Sequence, residues 1–381
     1  MTMDLRVLQI VRELPLPART GGHKRVLGMA GVWGSIGTVD VAGPPSRFGE
    51  PDISGPYRRI IPLAGGGFGR AAALARSITS GSPRVMAASR RTPSGRQLSS
   101  LRAERYDLVV IEELLAAPIH QRIEELFDAK VVYSAHNVES AIAYPYRNGH
   151  WTTTALQRFD RIALARLERR LAAAAVGIVC CTEDDAVAFR PADRPAVVVP
   201  NCADPMAPPP PWAERRGLLL FGSFGWLPNL EGLRWFEAEV LPRTRSIADL
   251  PVRVVTNVLP RRDRITLSAL GVDLRLAVPN IVPLAHDARV AAVPVFTAGG
   301  SRVRIVEALE FGLHVVTTTV GVRGQPVSVR AACEIADDPM AFAEAIVRAS
   351  DRPGPPAVPD LPRWGSFDYV VRDLCKQVGF S

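Results

Sequence analysis

The sequence predicts an α/β protein of two doubly wound parallel-sheet domains, and three observations predict it. Short apolar runs alternate with helical stretches from end to end. The runs lack strict polar–apolar alternation, which is the pattern of strands covered on both faces. A Pro-dense break at residues 200–217 (PNCADPMAPPPPWAERRG) separates them into two sets. Within it, Pro208–Pro211 can continue neither a helix nor a central strand.

In the first set, strands are expected at Leu5–Val11, Arg59–Ile61, Asp107–Ile111, Lys130–Ser134, Gly177–Cys180 and Ala196–Val199. In the second they fall at Leu218–Gly222, Val252–Thr256, Asp273–Leu276, Ala292–Phe296, His314–Thr318 and Cys333–Ile335. Between strands, Leu156, Phe159, Ala163, Leu167 and Leu171 recur at helical spacing. They form one apolar stripe on a long helix whose other face is expected to carry Arg158, Arg161, Arg166 and Glu168. Strand–helix alternation of this kind builds βαβ units with right-handed crossovers. Residues 43–56 and 79–97 read as exposed loops, the second with a basic S-R-R-T-P-S-G-R core. The tail carries Trp364, Phe367, Tyr369, Val370 and Leu374, enough apolar surface to dock as a helix. The expected division is a first domain at 1–204, a second at 205–360, and a terminal helix at 361–381 returning to the first.

The chain has 381 residues, 47% hydrophobic and 22% charged, which supports sizeable cores and excludes wholesale disorder. No apolar run reaches the roughly 18–20 residues of a bilayer span. Val7–Val11 is too short an apolar core for a signal peptide, so a cytoplasmic location is expected. Five cysteines without C-x-x-C pairing argue against a disulfide framework and structural zinc. The six histidines show no metal-ligand spacing, so no bound metal is expected. The net charge of +8 comes almost wholly from arginine; Lys24, Lys130 and Lys376 are the only lysines. Arginine is spread evenly and aromatics are only 7%, unlike the basic stripe with interleaved aromatics of a nucleic-acid binder.

In open α/β sheets, ligands sit beyond the carboxyl ends of strands. Gly21 and Gly22 follow the first strand at a helix start, where backbone N–H groups can meet an anion or sugar hydroxyls. An ordinary loop-to-helix turn uses the same residues. His136 lies just past the strand at 130–134, in A-H-N-V-E-S, where an imidazole serves function better than a sheet core. Gly222 and Ser223, in F-G-S-F-G-W-L-P-N, leave room for close backbone approach, while Trp226 reads equally as a packing residue. The strongest segment is the turn Ala298-Gly299-Gly300-Ser301, which opens a helix expected from Arg302 to about Phe311, closed by Gly312. A glycine turn at a helix start cradles a diphosphate through free N–H groups and the helix dipole. Arg302 and Arg304 add cations, and Glu307, a turn further in, can accept from a ribose diol.

Together these segments, with T-E-D-D at 182–185 and P-N-C-A-D at 200–204, resemble the retaining GT-B glycosyltransferases of family four (glycosyl transferases group 1) over nearly the whole chain. The resemblance implies two Rossmann-like domains facing across a cleft and a nucleotide-sugar donor as substrate, with no further cofactor. It implies that Glu307 binds the donor ribose, that Gly299, Gly300 and Ser301 hold diphosphate and sugar, and that His136 contacts the donor sugar. Gly21 and Gly22 would approach the diphosphate. Two positions depart from the family pattern. Gly299 stands where many relatives have the first of a spaced Glu pair, and 221–229 lacks the usual Arg and Lys diphosphate clamp. Arg302 and Arg304 are the expected substitutes.

The implied reaction is transfer of a sugar to an acceptor with retention of anomeric configuration, without a side-chain nucleophile. The acceptor is open between a cell-envelope polysaccharide or lipid precursor and a secondary metabolite. Arg84, Arg90, Arg91 and Arg96 offer an anionic acceptor a landing surface, which makes the inner membrane face a candidate location. Nucleic acid and an obligate protein partner are not expected. Two other readings stay open: a GT-B nucleotide-sugar epimerase, and a catalytically silent nucleotide-sugar-binding subunit.

Overall fold

The structure, a computed structural model, describes residues 3–49, 55–63, 75, 79, 101, 104–116, 128–142, 151–204, 209–297, 299–357 and 360–380. Two compact units emerge, residues 1–199 with 364–381 and residues 200–363.

The first unit runs β1 (Leu5–Ile10), α1 (Gly21–Gly34), β2 (Gly37–Gly43), β3 (Arg59–Pro62), β4 (Leu108–Glu112), β5 (Lys130–Ala135), α2 (Glu139–Ile142), α3 (Trp151–Ala174), β6 (Gly177–Cys180), α4 (Glu183–Phe189) and β7 (Ala196–Val198). The second runs β8 (Leu218–Phe221), α5 (Leu227–Trp235), α6 (Leu241–Ile247), β9 (Val252–Thr256), α7 (Arg261–Ala269), β10 (Asp273–Leu276), α8 (Val282–His286), β11 (Val290–Val293), α9 (Val303–Glu310), β12 (His314–Thr317), α10 (Val327–Ala331), β13 (Cys333–Ile335) and α11 (Pro339–Ser350). The tail helix α12 (Asp368–Gln377) packs in the first unit.

All strand pairs are parallel, in the orders β3-β2-β1-β4-β5-β6-β7 and β10-β9-β8-β11-β12-β13. Each chain path steps outward, then returns past its first strand, which creates a switch point between β1 and β4 and another between β8 and β11. Both faces of each sheet are covered. Val7, Val39, Val110 and Val132 pack toward α1 and α12, while Leu8, Ile10, Val109 and Tyr133 pack toward α3. In the second sheet Leu218, Leu220 and Val254 face α5 and α11, and Leu219, Phe221 and Val293 face α9. Each such buried side chain contributes about 1.5–3 kcal/mol.

Four details depart from the sequence reading. β2 is not among the expected strands; Gly37 and Gly43 bound it and Asp40 interrupts it, yet Asp40 is buried, paired with Arg58 and accepting from Tyr106 at 2.8 Å. The strand expected at 292–296 is β11 at 290–293, because Pro294 has no N–H for the ladder. The helix expected from Arg302 starts at Val303, with Arg302 as its N-cap. Glu168 does not sit on an exposed face. It is buried, and its carboxylate accepts from the Glu139 N–H at 2.8 Å and the Ser140 hydroxyl at 2.6 Å, which fixes the start of α2. Of the loop expected at 43–56, Gly43 ends β2, and residues 50–54 and 80–97 lie outside the described residues.

α9 is anchored at its carboxyl end by Arg215, which is 1% exposed. Its guanidinium donates to the carbonyls of Phe311 (3.0 Å) and Gly312 (3.1 Å), which the helix end leaves open, and to that of Ala288 (2.8 Å) just past α8. Burial pushes this guanidinium down to about 10. Arg215→Met leaves these carbonyls buried without donors and is expected to cost about 3 kcal/mol or more, read by urea denaturation.

The acidic groups around α2 give the stability a pH dependence. Burial, with Glu113 and Glu168 nearby, pushes the Glu139 carboxyl up to about 7, although the Asn137 amide donates to it at 3.1 Å. An acid with a raised folded pKa holds more protons folded than unfolded. Stability then falls as pH rises from the ordinary carboxyl range to about 7. Glu139→Gln keeps the acceptor for Asn137 and should raise the melting temperature above pH 7 but not at pH 4. An equal shift at both pH values would contradict the assignment.

Candidate functional site

The second sheet places two loops side by side at its switch point, residues 222–226 after β8 and residues 294–302 after β11. Of the expected glycine turn, Ala298 lies outside the described residues. Gly300 takes a left-handed φ of 59°. Ser301 is buried, and the Asn201 amide holds it by donating to its carbonyl (3.0 Å) and hydroxyl (2.9 Å). The Gln325 amide donates to the Arg302 carbonyl at 2.8 Å. The start of α9 is thus fixed from two sides, and no side chain caps it.

Arg304, in the first turn of α9, reaches back under the β8 loop. Its Nη1 donates to the Phe221 carbonyl at 3.1 Å and its Nη2 to Asn229 Oδ1 at 2.7 Å. Asn229 in turn donates to the Ser223 carbonyl at 2.9 Å. Gly222 has φ of 140°, and a Cβ there would lie 2.7 Å from Arg304 Cδ, so the space this glycine leaves is taken by the arginine. Both acceptors of Arg304 are neutral. Among the described residues no carboxylate pairs with it; Glu307, buried one turn on, acts on it only through space. Burial and the neighbouring Arg302 push the Arg304 guanidinium down to about 10. Arg302 is buried at the N-cap beside it. The second-unit residues picked from the sequence, Gly222, Ser223, Gly299, Gly300, Ser301, Arg302, Arg304 and Glu307, therefore lie on the two switch-point loops and the helix they open. Asn201, Asn229 and Gln325 have no role in the sequence reading, because their partners are distant in sequence.

The first unit repeats the geometry with different chemistry. Gly21 is the first residue of α1, Gly22 the second, and both are exposed. Thr20 caps the helix by accepting from the His23 N–H at 3.2 Å. A Cβ at Gly22 would meet nothing nearer than the Thr20 hydroxyl at 3.8 Å, so the chain's own packing does not require glycine there. His136 follows β5, and its Nε2 lies 3.0 Å from Glu112 Oε2 at the end of β4. Glu112 is fully buried and also accepts from the Gln9 amide at 2.7 Å. The sequence reading passed over Glu112, whose apolar strand context gives no sign of a polar partner. No helix among the described residues is long and apolar enough to cross a membrane.

Residues 215–352 match the family model described as glycosyl transferases group 1. No curated protein matches the chain by sequence. Among solved structures, sucrose-phosphate synthase from Thermosynechococcus elongatus superposes with a TM-score of 0.68 at 16% identity, covering 98% of this chain and 99% of that one. HepE of Anabaena in complex with UDP-glucose gives 0.59 at 12%, covering 98% of each chain. WaaG, a glycosyltransferase involved in lipopolysaccharide biosynthesis, gives 0.58 at 15%, covering 99% of this chain and 100% of that one. The likeness to the group 1 glycosyl transferase model thus lies in residues 215–352, and the chain as a whole has the GT-B fold.

Proposed function

We propose that this protein is a glycosyltransferase that takes a sugar from a nucleotide-sugar donor and passes it to an acceptor hydroxyl with retention of configuration. The observation that carries the donor reading is Arg304, a partly buried cation with only neutral hydrogen-bond partners, beside an uncapped helix start at the switch point. Burying a cation without a directly bonded counter-charge is unfavourable, and a bound diphosphate would supply one. The first-turn N–H groups of α9 and its dipole favour the same anion. Glu307 is assigned to the donor ribose, and Gly299, Gly300 and Ser301 to the diphosphate and sugar. Gly222 and Ser223 shape the neighbouring loop. HepE, a structural neighbour, holds UDP-glucose, which makes a UDP-sugar the first donor to test.

Transfer requires a nucleoside diphosphate to leave. The charge that grows on its bridging oxygen is stabilised by donors already in place, the α9 N–H groups with Arg302 and Arg304, so no reorganisation is needed during the step. The leaving phosphate takes the acceptor's proton on the face it departs from, which preserves configuration and needs no side-chain nucleophile. In the first unit, Gly21 and Gly22 are assigned to the diphosphate and His136 to the donor sugar. The acceptor is assigned only as a hydroxyl compound, with cell-envelope precursors and secondary metabolites as the two classes to screen.

A thermal-shift screen of UDP-, GDP-, dTDP- and ADP-sugars tests the donor class. A bound donor at 100 times its Kd stabilises the fold by about 2.7 kcal/mol. One base should stand out, and no shift with any of them would overturn the reading. Glu307→Ala is expected to weaken donor binding by about 10–100-fold, the loss of a charge-assisted hydrogen bond. Arg302→Ala should lower kcat more than donor affinity, because its charge matters most as the leaving group forms. Wild-type kinetics in both variants would contradict the assigned site.

A further inference from the structure

A buried carboxylate at the end of β4 has no place in the donor reading, and its surroundings give it one. Glu112 is 0% exposed, and a carboxylate so enclosed must be well bonded to persist. The Gln9 amide, from the neighbouring strand β1, donates to Oε1 at 2.7 Å and reaches the Val26 carbonyl of α1 at 3.4 Å. Oε2 faces His136 Nε2 at 3.0 Å. The pairing of Glu112 with Ser134 brings the end of β4 beside the end of β5, two residues before His136. Glu113 then turns the chain away at a left-handed φ of 61°, held by its N–H bond to the Ser134 carbonyl at 2.9 Å. The loop bearing His136 is pinned on its other side by Glu168, which caps α2.

We propose that Glu112 is a positioning residue that holds His136 in one tautomer and one orientation, so that Nδ1 is the nitrogen presented to the sugar. An ionised carboxylate only accepts hydrogen bonds, so the hydrogen between the two groups sits on Nε2. Nδ1 then carries the lone pair, and among the described residues it has no hydrogen-bond partner. A neutral His136 therefore meets a sugar hydroxyl through Nδ1 as an acceptor, whereas an imidazolium would carry a hydrogen on both nitrogens and only donate. Gln9 fixes the carboxylate in turn, because its amide can engage Oε1 only through its N–H. The inference rests on the preceding reading of His136 as a sugar contact.

The test uses the full chain labelled with 15N at histidine, the His136 signals being assigned by their loss in His136→Ala. The wild-type imidazole is expected to carry its hydrogen on Nε2 near neutral pH, a result that a merely space-filling histidine would not require. In Glu112→Gln the carboxamide keeps its oxygen toward Gln9 and turns its NH2 toward His136, which should move the hydrogen to Nδ1. In the same variant kcat should fall about 10–100-fold, the size seen when the orienting partner of a metal-site histidine is lost, with UDP-sugar affinity unchanged. A wild-type hydrogen on Nδ1, whether alone or together with one on Nε2, would overturn the proposal without any variant having to fold. Unchanged kcat in Glu112→Gln beside a depressed kcat in His136→Ala would overturn the positioning role alone. Unchanged kcat in His136→Ala would overturn the sugar-contact reading on which it stands.

Discussion

Arg304 ties the second unit's two switch-point loops together, and the proposed donor site depends on how it does so. Its guanidinium binds the Phe221 carbonyl at the end of β8 and the Asn229 side chain at the start of α5, while its backbone belongs to α9. One side chain therefore sets the distance between the loop after β8 and the helix after β11. It does so with neutral acceptors, which leaves the cation's charge available. An ion pair with a carboxylate would have fixed the loops equally well and cancelled the field. At the other end of the same helix, Arg215 satisfies the buried carbonyls of Phe311 and Gly312, and Gly312 turns the chain with φ of 67°. The carboxyl end is thus closed by the protein itself, and the amino end has no side-chain cap. The asymmetry favours an anion at the amino end.

The first unit uses the same sheet geometry with carboxylates where the second has arginines. Glu112, Glu139 and Glu168 surround the loop that carries His136, and each has a distinct task. Glu168 caps a short helix, Glu112 faces the imidazole, and Glu139 sits between burial and a single amide donor. Burial also pushes the Glu168 carboxyl up, while its bonds from Ser140 and the backbone pull the other way. Such groups are costly to bury. Their concentration around one loop beyond β5 marks where this unit gives up stability for a defined side-chain arrangement.

Much of the fold was legible because parallel strands covered on both faces leave a direct trace. Val252–Thr256 and Gly177–Cys180 read as strands from apolar content alone, and the structure gives them the same bounds. β2 escaped because the trace fails when a buried charge sits mid-strand; Asp40 is neutralised by Arg58 and Tyr106, and neither partner is close in sequence. Glu168 was misplaced for the same reason, since helical periodicity reports which face a residue lies on but not what waits opposite. In the candidate site, glycine turns and helix starts were visible as local patterns. The contacts that organise them were not: Arg304 meets Asn229 across 75 residues, and Asn201 meets Ser301 across 100. Gly222 reads locally as room for a ligand, and only the folded chain shows Arg304 filling that room.

The claim that the start of α9 is an electropositive seat is tested most directly by a crystal structure of the protein with UDP bound. The β-phosphate is expected over residues 299–302, with backbone N–H groups of the α9 start and the Arg304 guanidinium within hydrogen-bond distance of its oxygens. A diphosphate lodged away from this helix, with Arg304 still bonded only to Phe221 and Asn229, would contradict it.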